Sequence, residues 1–201
     1  MTMRVAVAAS GRGSNLEALL RSLGPGAPAG VVLVLSDRPG AGALTLGRAH
    51  GVATHVLGDP ASAGEWLDQL ERAAADLVVL AGYLKLVPAG VIERYRGRIV
   101  NIHPALLPAF GGRGMYGHRV HEAVLASGAR ESGASVHLVD EVYDRGEVLA
   151  RARVPVLPGD DADRLAARVL DVEHRLLPAV VLAAARAGHP IPLPEPVESH
   201  L

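Results

Sequence analysis

Leu77-Val78-Val79-Leu80-Ala81 is the stretch whose reading decides the fold. Its five consecutive apolar residues, held between Asp76 and Gly82, are too few for an ordinary helix. They are also too uniform for a strand with one wet face. A strand apolar on both faces is covered on both faces, which is the habit of parallel sheets flanked by helices. Working outward, residues 4–9, 31–36, 54–57 and 98–102 read as further short strands. Between them, residues 14–22, 41–50 and 61–75 carry helical patterns. The alternation predicts an α/β fold with a doubly wound, mostly parallel, Rossmann-like sheet.

The second half changes character. Residues 135–139 and 148–156 read as strands joined by the loop 140–147, an antiparallel C-terminal extension of the sheet. A helix over 161–177 is expected to end or kink at Pro178, whose ring removes a donor, with a further apolar helical piece to Ala187. We expect a single domain over 1–201. Residues 1–100 form a phosphate- or nucleotide-binding half, 101–188 a catalytic half, and 189–201 an irregular proline-rich tail.

Composition narrows the function classes. The net charge of −1 gives no reason to expect nucleic acid or an anionic membrane as partner. Lys85 is the sole lysine, so the arginine excess reads as coding bias rather than a basic patch. The absence of cysteine excludes disulfides, a thiolate nucleophile and thiolate metal ligation. The apolar stretch near the N-terminus is too short for a signal peptide or a span, so the expected location is the cytoplasm.

Chemistry concentrates in Asn101-Ile102-His103-Pro104-Ala105-Leu106-Leu107-Pro108, at the end of an apolar run. In an extended chain residues i and i+2 face the same way, so Asn101 and His103 project together, and Pro104 biases His103 towards extended backbone. A carboxamide that hydrogen-bonds an oxyanion, beside an imidazole that moves a proton, suits acyl transfer. Ser10-Gly11-Arg12-Gly13-Ser14-Asn15, between a strand and a helix, lets the backbone approach an anion at the helix N-terminus. It lacks the Gly-Lys-Ser/Thr ending of a P-loop, and Leu16 holds the third glycine position of a dinucleotide fingerprint. Asp37 sits where a ribose-binding acid belongs, so a nicotinamide cofactor stays open. Asp144 is a turn aspartate that orients His103 if its loop folds back over the strand end. Glu173 borders the apolar stripe Leu165, Val169, Val172 and Leu176, and needs either an internal arginine or a ligand's amine or hydroxyls. His118, His121 and His137 together raise a metal site, but without standard spacing; His137 by itself reads as a polar residue at a strand end. The glycine-rich run 111–117 is either a lid or a passive surface loop.

Taken together, these motifs resemble the folate-dependent formyltransferases, and among them the branch that formylates glycinamide ribonucleotide in purine biosynthesis. The resemblance spans residues 5–178 and rests on Gly11-x-Gly13-Ser14-Asn15, Leu80-Ala81-Gly82-Tyr83, the Asn-x-His-Pro-x-Leu-Leu-Pro string, Ser135-Val136-His137, Asp144-x-Gly146 and Glu173-His174. It implies that Gly11, Arg12, Gly13, Ser14 and Asn15 hold the substrate's 5′-phosphate, and that Glu173 binds its glycinamide or ribose end. It implies a folate pocket made by Leu84, Lys85, Leu86, Val87, Asn101, Asp140, Glu141, Val142 and Asp144, taking 10-formyltetrahydrofolate as co-substrate. Asn101 and a cationic His103 then stabilise the oxyanion, with Asp144 keeping the imidazole charged. No metal is implied, the partners are these small molecules, and the chain is expected as a monomer or homodimer. Leu84-Lys85 replaces the family's arginine in the folate segment, and the glycine-rich run is longer than in some members. A formyltetrahydrofolate hydrolase or methionyl-tRNA formyltransferase shares the Asn–His string but is expected to carry a further domain. A non-catalytic dinucleotide module would use Gly11, Gly13 and Asp37, and a metal hydrolase would use the three histidines.

Overall fold

The computed structural model describes residues 2–194. Strand β1 (Met3–Ala8) runs into helix α1 (Ser14–Ser22), followed by β2 (Ala29–Ser36), α2 (Gly42–Ala49), β3 (Ala53–Val56), α3 (Ala63–Arg72) and β4 (Leu77–Leu80). After these come α4 (Ala89–Arg94), β5 (Ile99–His103), α5 (His118–Ala126), β6 (Glu131–Leu138), β7 (Val148–Pro155) and α6 (Ala162–Ala187). The seven strands form one sheet in the order β3-β2-β1-β4-β5-β6-β7. β3 to β5 are parallel, while β6 and β7 pair antiparallel. The doubly wound sheet with an antiparallel extension is therefore what forms.

The apolar strands are covered on both sides, and the alternation of β1 and β4 shows how. Val5, Val7, Leu77 and Val79 pack into one core with Leu16, Leu19, Leu165, Leu176 and Val181 of α1 and α6. Ala6, Ala8, Val78 and Leu80 pack into the other with Trp66, Leu70, Val91 and Tyr95 of the α3–α4 side. Trp66 is wholly buried, edge-on to Tyr83 at 5.3 Å between ring centroids. Truncating it to alanine costs about 3–5 kcal/mol.

Two expectations are corrected and one helix is new. The helix does not end at Pro178: α6 runs through it to Ala187. Proline removes a single backbone bond. Leu176, Leu177, Val180 and Val181, all buried on both sides of it, hold the helix in place. The six-residue α4 was not foreseen, since Ala89-Gly90 is too short a lead for a periodic signal. β6 begins at Glu131, four residues before the expected start, because Gly133 masks the pattern. At Gly133 any Cβ would fall 1.9 Å from the Ala152 carbonyl oxygen of β7. Residues 189–194 form neither helix nor strand but are tied down by the Leu193 N–H donating to Leu149 O at 2.8 Å. The rest of the expected irregular tail, 195–201, lies outside the described residues.

Candidate active site

The order of strands reverses at β1 and β4, where loops leave in opposite directions and open a crevice at the strands' carboxyl ends. A cleft of about 830 Å³ lies there. Its lining brings together the 11–15 turn, the segment 80–87, the end of β5, the glycine-rich loop, the 139–144 loop and one face of α6.

One wall is built from a turn. Gly13 is the N-cap of α1 at φ 91°, and no side chain caps the helix. The first N–H groups of α1 are thus left for a ligand, and their dipole favours an anion. Gly13 is required twice over, because a Cβ there would also lie 2.8 Å from the Ala43 backbone. Asn15 donates from Nδ2 to Oε2 of Glu173 on α6 at 2.7 Å. This amide, not an arginine, is the partner of Glu173. Burial raises the Glu173 pKa from its ordinary value, opposed by that bond. Asn15 Oδ1 is buried without a partner. The pair is a polar pocket waiting for donors and hydroxyls.

Asp37 is not available to a ribose. Its carboxylate accepts from the Ser10 hydroxyl at 2.5 Å, and that hydroxyl accepts from the Leu84 N–H at 3.0 Å. The acid ties the ends of β1, β2 and the segment after β4 to one another. This use removes the main support for the dinucleotide reading.

The opposite wall gathers titratable groups. Asn101 and His103 do project together, and in the antiparallel register they face His137 and Ser135 of β6. Ser135 turns away to shape the chain after His103: its hydroxyl accepts from Leu107 N and donates to Ala105 O. Asn101 Nδ2 lies 3.0 Å from His137 Nε2. The carboxylate of Asp144 stands between the two imidazoles, Oδ2 at 3.6 Å from His103 Nδ1 and Oδ1 at 3.4 Å from His137 Nε2. Asp144 reaches that position from a left-handed backbone at φ 55°. Two residues on, Gly146 passes so close to β6 that a Cβ would lie 1.8 Å from the Leu138 carbonyl oxygen. The Asp144-x-Gly146 spacing is therefore a backbone requirement as well as a chemical one.

His103 is 3% exposed. Burial lowers its pKa, while the Asp144 charge and the Phe110 carbonyl pull it upward. The ligand-free environment thus opposes the cationic form expected from the resemblance. Nε2 donates to Phe110 O at 2.8 Å, because a carbonyl can only accept. Burial also acts to raise the Asp144 pKa, but the His137 contact, the His103 charge and the Gly112 N–H outweigh it and leave it lowered. Gly112 N donates to Asp144 Oδ2 at 2.8 Å. The glycine-rich loop is therefore no passive surface: Phe110 and Gly112 hold the imidazole and the carboxylate.

Leu84, Lys85, Leu86, Val87, Asp140 and Val142 line the far end of the cleft, whereas Glu141 is not among its lining residues. Leu86 is 50% exposed and Val142 59%, which gives that end an apolar platform open to a flat ring. The three histidines sit in different surroundings. His118 is exposed and faces Asp163 at 3.5 Å, and His121 is buried, pulled down to about 4 by burial and by the nearby His118 and His103. Among the described residues no three His, Cys, Asp or Glu side chains form a metal-ligand group. The member of this cluster that the sequence reading assigned to a strand end is His137. The available signal was its place two residues after Ser135, the same spacing that links Asn101 and His103.

Residues 3–181 match the family described as Formyl transferase. Two chloroplastic phosphoribosylglycinamide formyltransferases are similar in sequence. The one from Arabidopsis thaliana is 43% identical over 186 residues, 89% of this chain and 64% of the relative. That from Vigna unguiculata is 44% identical over 187 residues, 90% of this chain and 60% of the relative. The chain thus spans somewhat under two thirds of these plant proteins. The crystal structure of phosphoribosylglycinamide formyltransferase from Brucella melitensis superposes with a TM-score of 0.83 at 44% identity, covering 92% of this chain and 96% of that one.

Proposed function

The chain belongs to the formyl transferase family, and from that premise we propose that it transfers a formyl group from 10-formyltetrahydrofolate to the amine of 5-phosphoribosylglycinamide, a step of purine biosynthesis. The observation that carries the reading is the pairing of an uncapped helix N-terminus with a proton-handling cluster across a single cleft. The first suits a phosphate and the second a tetrahedral oxyanion. The names of the similar plant and Brucella proteins point the same way.

In this mechanism the backbone of Gly11 to Asn15 and the Arg12 guanidinium hold the 5′-phosphate. Glu173, released from Asn15 or sharing it, takes the ribose hydroxyls or the glycinamide end. Leu84 to Val87 and the 140–144 loop take the pterin, which the apolar platform of Leu86 and Val142 fits. The substrate amine attacks the formyl carbon, and the carbonyl oxygen gathers charge against an Asn101 N–H and the His103 ring. As the tetrahedral intermediate collapses, the bond to folate N10 breaks and the departing nitrogen takes the proton that the amine loses, relayed by His103 or a water. For that, a ring nitrogen of His103 must leave Phe110 O or Asp144. The Asp144 charge favours the protonated ring against its burial. A purified-protein absorbance assay of folate product, with and without glycinamide ribonucleotide, tests the reading. Turnover requiring both substrates is expected. Turnover with the folate alone would show a hydrolase instead.

A further inference from the structure

His137 is 2% exposed and neither ring nitrogen is free. Nδ1 lies 2.7 Å from the carbonyl oxygen of Leu138. A carbonyl only accepts, so Nδ1 carries the hydrogen. In the neutral ring Nε2 then holds a lone pair, and it faces two groups: the Asn101 amide at 3.0 Å and the Asp144 carboxylate at 3.4 Å. Those contacts demand opposite states. A lone pair accepts an N–H from Asn101, whereas a protonated Nε2 donates to Asp144 and forces Asn101 to turn its oxygen inward. The ionisable groups against His137 are Asp144, from the β6–β7 connection, and His103, from β5. The shorter contact and the cross-strand register of Asn101 with His137 favour the amide.

We propose that His137 is a positioning residue for formyl transfer: as the neutral Nδ1–H tautomer it holds one Asn101 N–H and so fixes the amide that faces the oxyanion. The inference rests on the formyl-transfer reading. Leu138 O sets the tautomer, the tautomer sets the amide, and the amide keeps its second N–H for the cleft. Asp144 is left to Gly112 and His103. The imidazole thus acts through Asn101, and the carboxylate is held in place by the Gly112 N–H at 2.8 Å.

Two measurements test it. The first is nitrogen NMR of the ¹⁵N-histidine-labelled protein at neutral pH, with His137→Gln used to assign the signal. A protonated Nδ1 and an unprotonated Nε2 are expected; a doubly protonated ring overturns the proposal. The second is steady-state formyl transfer by His137→Leu and His137→Gln, alone and with Asn101→Ala. Losing the hold on one oxyanion donor should lower kcat about 100-fold in His137→Leu, with KM for the ribonucleotide within about twofold. Gln, whose side-chain oxygen can accept from Asn101, should recover most of it. In the Asn101→Ala background His137→Leu should add nothing. Full additivity, a matching rise in KM, or equal losses for Leu and Gln would show a merely structural role. Wild-type protein that folds but transfers no formyl group defeats the functional reading instead, and the NMR result still decides the tautomer.

Discussion

The two walls of the cleft are made in different ways. The wall proposed for the phosphate comes from one contiguous turn, 11–15, backed by α6 through the Asn15–Glu173 bond and the apolar packing of α1. The wall of titratable groups is assembled from β5, β6 and two loops, 110–112 and 140–146, and its distances of 2.8 to 3.6 Å depend on all four. A backbone site tolerates changes in side chains but not in glycine. A side-chain cluster tolerates changes in backbone only where its register survives.

The largest effect should come from the wall of titratable groups. His103→Ala is expected to cut kcat by about 10²–10⁴-fold, the usual contribution of general acid–base catalysis. The fold should stay intact by circular dichroism. Asp144→Asn should follow closely. A variant with wild-type turnover would remove the role assigned to that residue. The wall proposed for the phosphate should fail differently. Gly13→Ala places a Cβ 2.8 Å from the Ala43 backbone at a positive φ, so KM for the ribonucleotide should rise by more than about tenfold while kcat holds. Isothermal titration with the ribonucleotide separates this from misfolding.

Glu173→Gln sharpens the contrast. A neutral amide keeps the Asn15 bond and removes a buried charge whose ionisation the fold resists. Tm of the ligand-free protein should rise at neutral pH, while ribonucleotide binding weakens by about tenfold. A lower Tm would mean that the carboxylate is stabilising as an ion.

The smallest effect is one of pH. His121 has a folded pKa of about 4 against an ordinary 6.5, so the unfolded chain binds more protons between those values. Stability should therefore fall as pH drops from about 6.5 to about 4. His121→Gln should flatten that slope in urea midpoints measured across the window. Glu65, held at about 2 by the Asp59 and Gly58 N–H groups and by His55, contributes above its ordinary value and is lost only at lower pH.

Much of the site was legible where chemistry and backbone coincide. Period two placed Asn101 beside His103, and the Gly11–Asn15 turn revealed itself because only glycines allow that approach. Leu86 and Val142 came from resemblance and both line the cleft, while Glu141 does not. What stayed hidden was every partner brought from afar. Asp37 looked like a ribose ligand until Ser10 claimed it, and Glu173 looked like an arginine partner until Asn15 did. His137 looked like a strand-end residue because its two contacts come from another strand and a distant loop.

By itself the sequence determined which strands are buried on both faces, that the sheet turns antiparallel near its end, and that Asn101 and His103 share a face. Those are local properties, written in hydrophobic period and residue type. Only the tertiary structure decided which acid each amide meets, that α6 runs on through Pro178, and that Asp144 stands between two imidazoles. These depend on contacts between residues far apart in the chain, where burial and hydrogen-bond geometry, not spacing, select the partner.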